Sequence, residues 1–302
     1  MIHIKNLKQD ISIFKALSSS VRIDILNILS EYKQLNMNEL ADKLNLTNGA
    51  VTTHVKKLEE CGLITTTNIT GRHGVQKICS IHENKILIDL EPQSPENSYD
   101  VNLSIGHYSS YDITPTCGLA SKDKIIGEVD NPNYFADPER ISADILWFTK
   151  GFIEYRVPNY LKINQTFSEL QFSMEICSEA PGICNNWPSD IHFSINNIEI
   201  GIWTSPGDFG DNKGLLTPSW WFPNWNQYGL LKLISINNYG TFIDGLKISN
   251  ITLNDLNLTY KSDIIFRLSV PETTKYSGGL TLFGNNFGNY NQGIQVRIIY
   301  NE

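Results

Sequence analysis

The chain has no uninterrupted apolar run near the roughly 20 residues that a helical membrane span requires. Its opening, Met1-Ile2-His3-Ile4-Lys5, shows no long apolar stretch ahead of a small-residue cleavage site. A membrane partner is therefore not expected, and a cytoplasmic location is. Cysteine is scarce and odd in number, five in 302 residues, so a disulfide framework is not expected and Cys61, Cys79, Cys117, Cys177 and Cys184 read as reduced thiols. With no Cys-x-x-Cys pair, Cys117, Cys177 and Cys184 are not expected to hold a soft metal. The spacing of Asp208, Asp211 and Asp244 matches no calcium loop. Also missing are a Gly-x-Ser-x-Gly elbow, a nucleophilic-cysteine signature and a dinucleotide loop. The run "FGNNFGNY" at Phe283–Tyr290 lacks the Lys-Ser/Thr that would complete a phosphate loop. Glu154, Glu169, Glu175 and Glu199 supply carboxylates on strand-like segments, but no two fall at a defined spacing for glycoside hydrolysis. No catalytic residue, cofactor or metal is assigned, and an enzyme is not expected.

Positive charge is also in short supply, with a net charge of −8, and its distribution matters more than its total. Residues 1–82 hold ten Lys/Arg against seven Asp/Glu, a balance of +3, and the remainder carries −11. The positive end can approach phosphates, and the acidic remainder would be repelled by them. Two jobs on two domains are implied.

The positive end is patterned as helix, turn, helix and hairpin. Met37, Leu40, Ala41 and Leu44 follow i, i+3, i+4, i+7 spacing, which makes one apolar stripe. Asn45-Leu46-Thr47 breaks that helix, and Thr47 can cap the next one. The second helix, Asn48 to Glu60, is expected to bury Ala50, Val51, Val55 and Leu58. Its other face presents Asn48, Thr52, Thr53, Lys56 and Lys57, short hydrogen-bonders and cations suited to a major groove. Leu63–Thr67 and Val75–Ser80 are β-prone runs around Gly71-Arg72-His73-Gly74, a hairpin with a basic tip.

These residues carry a resemblance. "FKALSSSVRIDILNIL", "NELADKL", "GAVTTHVKKLEECGLI" and a wing near "GRHG" are similar to the ArsR-type winged-helix regulators, over roughly residues 9 to 82. The resemblance implies a transcriptional regulator that pairs as a homodimer on a double-stranded DNA operator, with Asn48, Thr52, Thr53, His54 and Lys56 on the recognition helix. The full candidate DNA-contacting set is Thr47, Asn48, Thr52, Thr53, His54, Lys56, Lys57, Arg72, His73 and Lys77. Two departures stand out: Thr53 replaces a common arginine, and Asn36 and Asn38 occupy the places of the metal-sensing cysteine pair. The chain resembles the DNA-binding half of the family without its metal chemistry.

From 85 to 99 the sequence turns polar with two prolines and reads as a linker between a DNA-binding domain at 1–84 and a domain at 100–302. Beyond it the period changes from 3.6 to 2. Ile191, Phe193 and Ile195, a two-residue Asn196-Asn197 turn, then Ile198, Ile200 and Ile202 predict a β-hairpin. Leu256, Leu258 and Tyr260, then Ile264 to Val270, and finally Ile294 to Ile298 predict further strands. The expected fold is multidomain: a winged helix-turn-helix, then an all-β antiparallel sandwich resembling a carbohydrate-binding jelly roll in pattern.

The most unusual window is Trp203–Tyr228, with Trp203, Trp220, Trp221 and Trp225 beside Asp208 and Asp211, punctuated by proline and glycine. Aromatic faces with nearby carboxylates suit sugars, although tryptophans also fill cores. The candidate ligand-binding set is Trp203, Asp208, Asp211, Trp220, Trp221, Trp225 and Asn285. The reading is a regulator, with repression the favoured sense, whose β-domain senses a small-molecule effector, a sugar being the favoured class. The alternatives are a sandwich that serves oligomerisation or protein contacts and, at low weight, a DNA-targeted glycoside hydrolase.

Overall fold

A computed structural model describes residues 2–4, 7, 10–71, 74–82, 86–88 and 97–302. The chain divides into two compact units, Met1–Pro95 and Glu96–Glu302.

The first unit contains β1 (Ile2–Ile4), α1 (Ile11–Leu17), α2 (Ser20–Tyr32), β2 (Gln34–Asn36), α3 (Met37–Leu44), α4 (Asn48–Glu60), β3 (Ile64–Gly71), β4 (Gly74–Ile81) and β5 (Ile86–Ile88). Helix α3 starts in a reciprocal cap: the Asn36 carboxamide accepts from the amides of Asn38 and Glu39, and the Asn36 amide donates to Glu39 Oε2 at 2.7 Å. It ends at Asn45, whose φ of 53° suits asparagine. Thr47 caps α4 as expected, accepting from the Ala50 amide. Leu40, Ala41, Val51, Val55 and Leu58 bury the predicted stripes against Ile25, Leu29 and Cys79. The hairpin β3–β4 gains β2 as a third strand. Strands β1 and β5 pair in parallel.

In the second unit the strands are β6 (Ser98–Leu103), β7 (Ser110–Ala120), β8 (Ile145–Val157), β9 (Thr166–Cys177), β10 (Ser189–Ile195), β11 (Ile198–Ser205), β12 (Leu230–Asn237), β13 (Gly240–Ile243), β14 (Leu246–Ser249), β15 (Ile264–Val270), β16 (Leu280–Phe283) and β17 (Ile294–Asn301). All of their pairings are antiparallel. One layer runs β11-β10-β15-β8-β7 and the other β6-β17-β9-β12-β13-β14, and short β16 bonds to both β8 and β9. The layers meet through their inward residues: Phe172 of β9 stacks on Phe266 of β15 at 4.0 Å, with Phe193 of β10 beyond it. The result is the expected all-β unit, a near-barrel closed along one side by β16.

Three expectations change. The span 85–99 contains strand residues at both ends, Ile86–Ile88 and Ser98–Tyr99, and 89–96 lie outside the described residues. Leu256 ends a short helix, α5 (Leu253–Leu256), and Leu258 and Tyr260 lie in the connection after it, where a strand was expected. Its Asp255 carboxylate accepts from the Thr252 amide and hydroxyl, and this local cap outcompetes β alternation. In the β10–β11 hairpin, Asn196 and Asn197 take the predicted left-handed turn (φ 49° and 66°). However, Phe193 pairs with Gly201 and Ser194 with Glu199, so Ile200 is an extra residue in a bulge. Beyond the bulge the faces exchange, which leaves Ile202 exposed and turns Trp203 toward the main core.

Candidate functional site

The first unit presents a recognition helix on a fixed base. Arg22 of α2 is buried and donates to the carbonyls of Ala16 and Lys15 at 2.5 and 2.7 Å, capping the end of α1. On α4, Asn48, Thr52, Thr53, Lys56 and Lys57 are exposed on one face, as the helical spacing predicts. The Thr52 and Thr53 hydroxyls donate to the carbonyls of Asn48 and Gly49, and the Asn48 carboxamide donates to Asn38 at 2.6 Å. The polar side chains of this face are therefore ordered by the protein's own hydrogen bonds.

Two residues of the candidate set sit differently. His54 is half-buried with Nδ1 inside and without a hydrogen bond, and burial, then Arg22 and Lys57, lower its pKa. A neutral, inward-leaning imidazole is a weak phosphate ligand. Lys77 of β4 is held by Glu59 of α4 at 3.1 Å, and Glu59 also accepts from Thr66. Its charge is spent on clamping the wing to the helix. Arg72 and His73 lie outside the described residues.

In the second unit the Trp203–Tyr228 window does not make one site. Trp203 packs on the main core with Lys232 Nζ 4.6 Å from its ring centroid. Trp221 is buried and donates its indole N–H to the Asn226 carbonyl at 2.8 Å. It meets Trp147, Trp225 and Phe287 edge-on at 5.8, 5.0 and 5.0 Å. Trp220 joins this second small core and donates to the Lys122 carbonyl at 2.6 Å. Asp211 is exposed and accepts from the Tyr228 hydroxyl. Asn285 lines a separate cleft of about 250 Å³ with Ser104, Ile105 and Asp144.

What comes together is a cleft of about 160 Å³ whose lining includes Thr116, Asp130, Trp147, Glu179, Asp208, Trp225 and Asn226. Only Asp208 and Trp225 belong to the expected set. Gly207 lets the backbone turn there, since a Cβ would lie 2.4 Å from the Asn185 carbonyl oxygen, and Asp208 then pairs back to Cys184. The Asp208 side chain is 0 % exposed. Its Oδ2 accepts from the Ala180 amide at 2.9 Å, and Oδ1 has no hydrogen-bond partner among the described residues. Burial pushes this carboxyl up to about 7. Glu179 Oε2 accepts from Asn226 and Thr281 at 3.2 and 2.9 Å. Burial, followed by the charge of Asp208, raises its pKa well above the ordinary range.

Glu179 was missed because it lies just past β9, in Glu179-Ala180-Pro181-Gly182; an acid ahead of Pro-Gly beside a strand end was its one local signal. The four carboxylates singled out on strands have other duties. Glu154 holds Arg267 at 2.6 Å and Glu199 holds His192 at 2.6 Å. Glu169 accepts from Gln171. Glu175 is fully buried and accepts from the amides of Gly229, Asn289 and Tyr290.

Comparison with known proteins bears on the first unit. Residues 19–65 match the winged helix-turn-helix DNA-binding family, so the chain carries such a domain. It is 40 % identical over 67 residues to the uncharacterised protein MJ0432 of Methanocaldococcus jannaschii, a match covering 22 % of this chain and 73 % of that protein. Over this domain the chain belongs to the same family. A transcriptional regulator homologue from Pyrococcus horikoshii OT3 is similar in structure at 20 % identity and a TM-score of 0.20, over 23 % of this chain and 74 % of that one. Dimeric latent PorU from Porphyromonas gingivalis matches at 10 % identity and a TM-score of 0.25, over 80 % of this chain and 18 % of that one. Among the described residues no helix is long and apolar enough to cross a membrane.

Two outcomes follow from this geometry. Lys57→Ala should reduce the salt slope of DNA binding by about 0.9, as one lost phosphate contact does, and Lys56→Ala nearly as much, because its 3.8 Å pair with Glu60 is loose and exposed. Lys77→Ala, removing a charge already paired with Glu59, should change the slope far less; equal slopes for all three would refute the clamp.

The second outcome concerns pH. Asp208 has its folded value raised from 3.8 to about 7, so between those values the fold binds more protons than the unfolded chain. Stability from this group is therefore present at low pH and lost as pH rises through 7, by at most about 1.4 kcal/mol per pH unit. Urea unfolding from pH 5 to 8 should show a shallower decline for Asp208→Asn than for the native chain; parallel curves would contradict the assignment.

Proposed function

We propose that the chain, which carries a winged helix-turn-helix DNA-binding domain, is a transcriptional regulator of the ArsR type that reads its operator as a homodimer. Its β-unit senses a small ligand of the carbohydrate class. The observation that carries the sensor reading is the cleft in which Trp147 and Trp225 stand beside Glu179, Asp208 and Asn226. Ring faces and hydrogen-bonding groups on one concave surface are what polyhydroxylated ligands require. The unit's −9 charge keeps it off DNA and so supports a sensing role. Pairing is supported by α1, which buries Ile13 and leaves Ile11 half exposed beside the incompletely covered Phe14 and Leu17.

Light scattering at micromolar concentration should report a dimer, and Ile11→Asp should shift it toward monomer. A monomeric native chain that footprints single half-sites would overturn the pairing. For the sensor, a thermal-shift screen against monosaccharides and disaccharides should find a ligand that raises the unfolding midpoint of the β-unit. Trp225→Ala should weaken that ligand by about 1–3 kcal/mol while the fold persists. A cavity-type loss of about 3–5 kcal/mol in stability with unchanged affinity would identify Trp225 as core filler instead.

A further inference from the structure

The cleft of the β-unit is one-sided in charge. Asp130, Glu179 and Asp208 line it, and no Lys, Arg or His does. Buried carboxylates are normally paired with a cation or fully hydrogen-bonded, and at Asp208 neither condition is met among the described residues. Asp208 is 0 % exposed and its Oδ1 has no donor. Glu179 Oε2 is supplied by the neutral donors Asn226 and Thr281. Elsewhere in the same unit, Asp244 has Lys232 at 2.9 Å, Glu154 has Arg267 at 2.6 Å, and the fully buried Glu175 is held by three backbone amides. Asp208 differs from these in combining full burial with an oxygen that no donor among the described residues reaches.

A metal ion is the first candidate for the missing positive charge. Among the described residues, however, no three His, Cys, Asp or Glu side chains converge closely enough to hold one. An organic cation needs less convergence. An ammonium group donates up to three hydrogen bonds over a broader span, and it is attracted to indole faces. Trp147 and Trp225 line the same cleft as the carboxylates, and Trp225 is only partly buried. The volume of about 160 Å³ suits a ligand of monosaccharide size or smaller.

We propose, building on the sensor reading above, that the cleft takes a ligand bearing a primary ammonium group, an amino sugar in class, with the ammonium at Glu179 over the Asp208 floor and the ring against Trp225. Neutral sugars would leave the Asp208 carboxylate uncompensated. Acidic sugars would meet three carboxyl groups with no cation beside them among the described residues. An amine on the sugar ring supplies the charge that the protein omits and keeps the ring face for the indole.

Isothermal titration of the full chain tests this with D-glucosamine, D-galactosamine and D-mannosamine, each against its N-acetyl counterpart, and with calcium chloride. At least one amine should bind about tenfold or more tightly than its N-acetyl form. Asp208→Asn and Glu179→Gln should each erase that preference, while the unfolding midpoint stays level or rises because a buried charge has gone. Equal or tighter binding of the N-acetyl sugars overturns the ammonium assignment and leaves the carbohydrate-sensor reading standing. Calcium binding that is lost in Asp208→Asn overturns it in favour of a metal. No heat from any of these sugars up to about 50 mM overturns the assignment, and silence in the thermal-shift screen of neutral monosaccharides and disaccharides as well overturns the sensor reading.

Discussion

The parity of strand β9 is the constraint on which the β-unit depends. Its even-numbered residues Leu170, Phe172, Met174 and Ile176 are all 0 % exposed and form the middle of the main core. Its odd-numbered residues point to the other face, where Glu175 gathers three backbone amides and Cys177 enters the tryptophan cluster. Continuing past the strand, Glu179 reaches the cleft. A slip of one residue would send two acids into the main core and four hydrophobes out of it. The same register therefore fixes the sandwich, the anchoring of the 284–293 connection and the position of the cleft carboxylate.

The first unit rests on a comparable economy of polar anchors. Arg22 ties the end of α1 to α2, Asn36 and Glu39 close the start of α3, and Glu59 joins α4 to the hairpin through Thr66 and Lys77. Each fixes the direction of a helix or strand, so that the exposed face of α4 is aimed by the rest of the unit. A recognition helix free to rock would lose the positional accuracy on which base reading depends.

How much was legible follows from the range of each interaction. Apolar stripes on α3 and α4, the Thr47 cap and the Asn196-Asn197 turn are local, and residue spacing alone reveals them. The Thr252–Asp255 cap was equally local, but the alternation of Leu256, Leu258 and Tyr260 masked it. The Ile200 bulge could not be read, because an extra residue is defined only against the partner strand. Lys77 looked like a phosphate contact because Glu59, 18 positions away, had no sequence mark as its partner. The cleft was hardest of all. Thr116, Glu179, and the pair Asp208 and Asn226 come from three segments far apart in sequence, and the tryptophans of the richest aromatic window largely build the wall behind them.

That wall has a physical consequence. Trp220 and Trp221 are locked by indole hydrogen bonds and edge-on contacts, and Gln227 holds the backbone of its own loop through the Phe222 and Trp225 carbonyls. Glu175 fixes the far side through the amides of Gly229, Asn289 and Tyr290. A loop tied at so many points has little entropy left to lose when a ligand enters. What a ligand can change most in such a site is charge and protonation, because the carboxylates sit in a setting where ionisation is disfavoured. The rigid tryptophan wall and the under-compensated acids are thus complementary. The first holds the geometry still, and under the proposed sensor reading the second would concentrate the energetic response to a ligand in the electrostatics of Asp208 and Glu179.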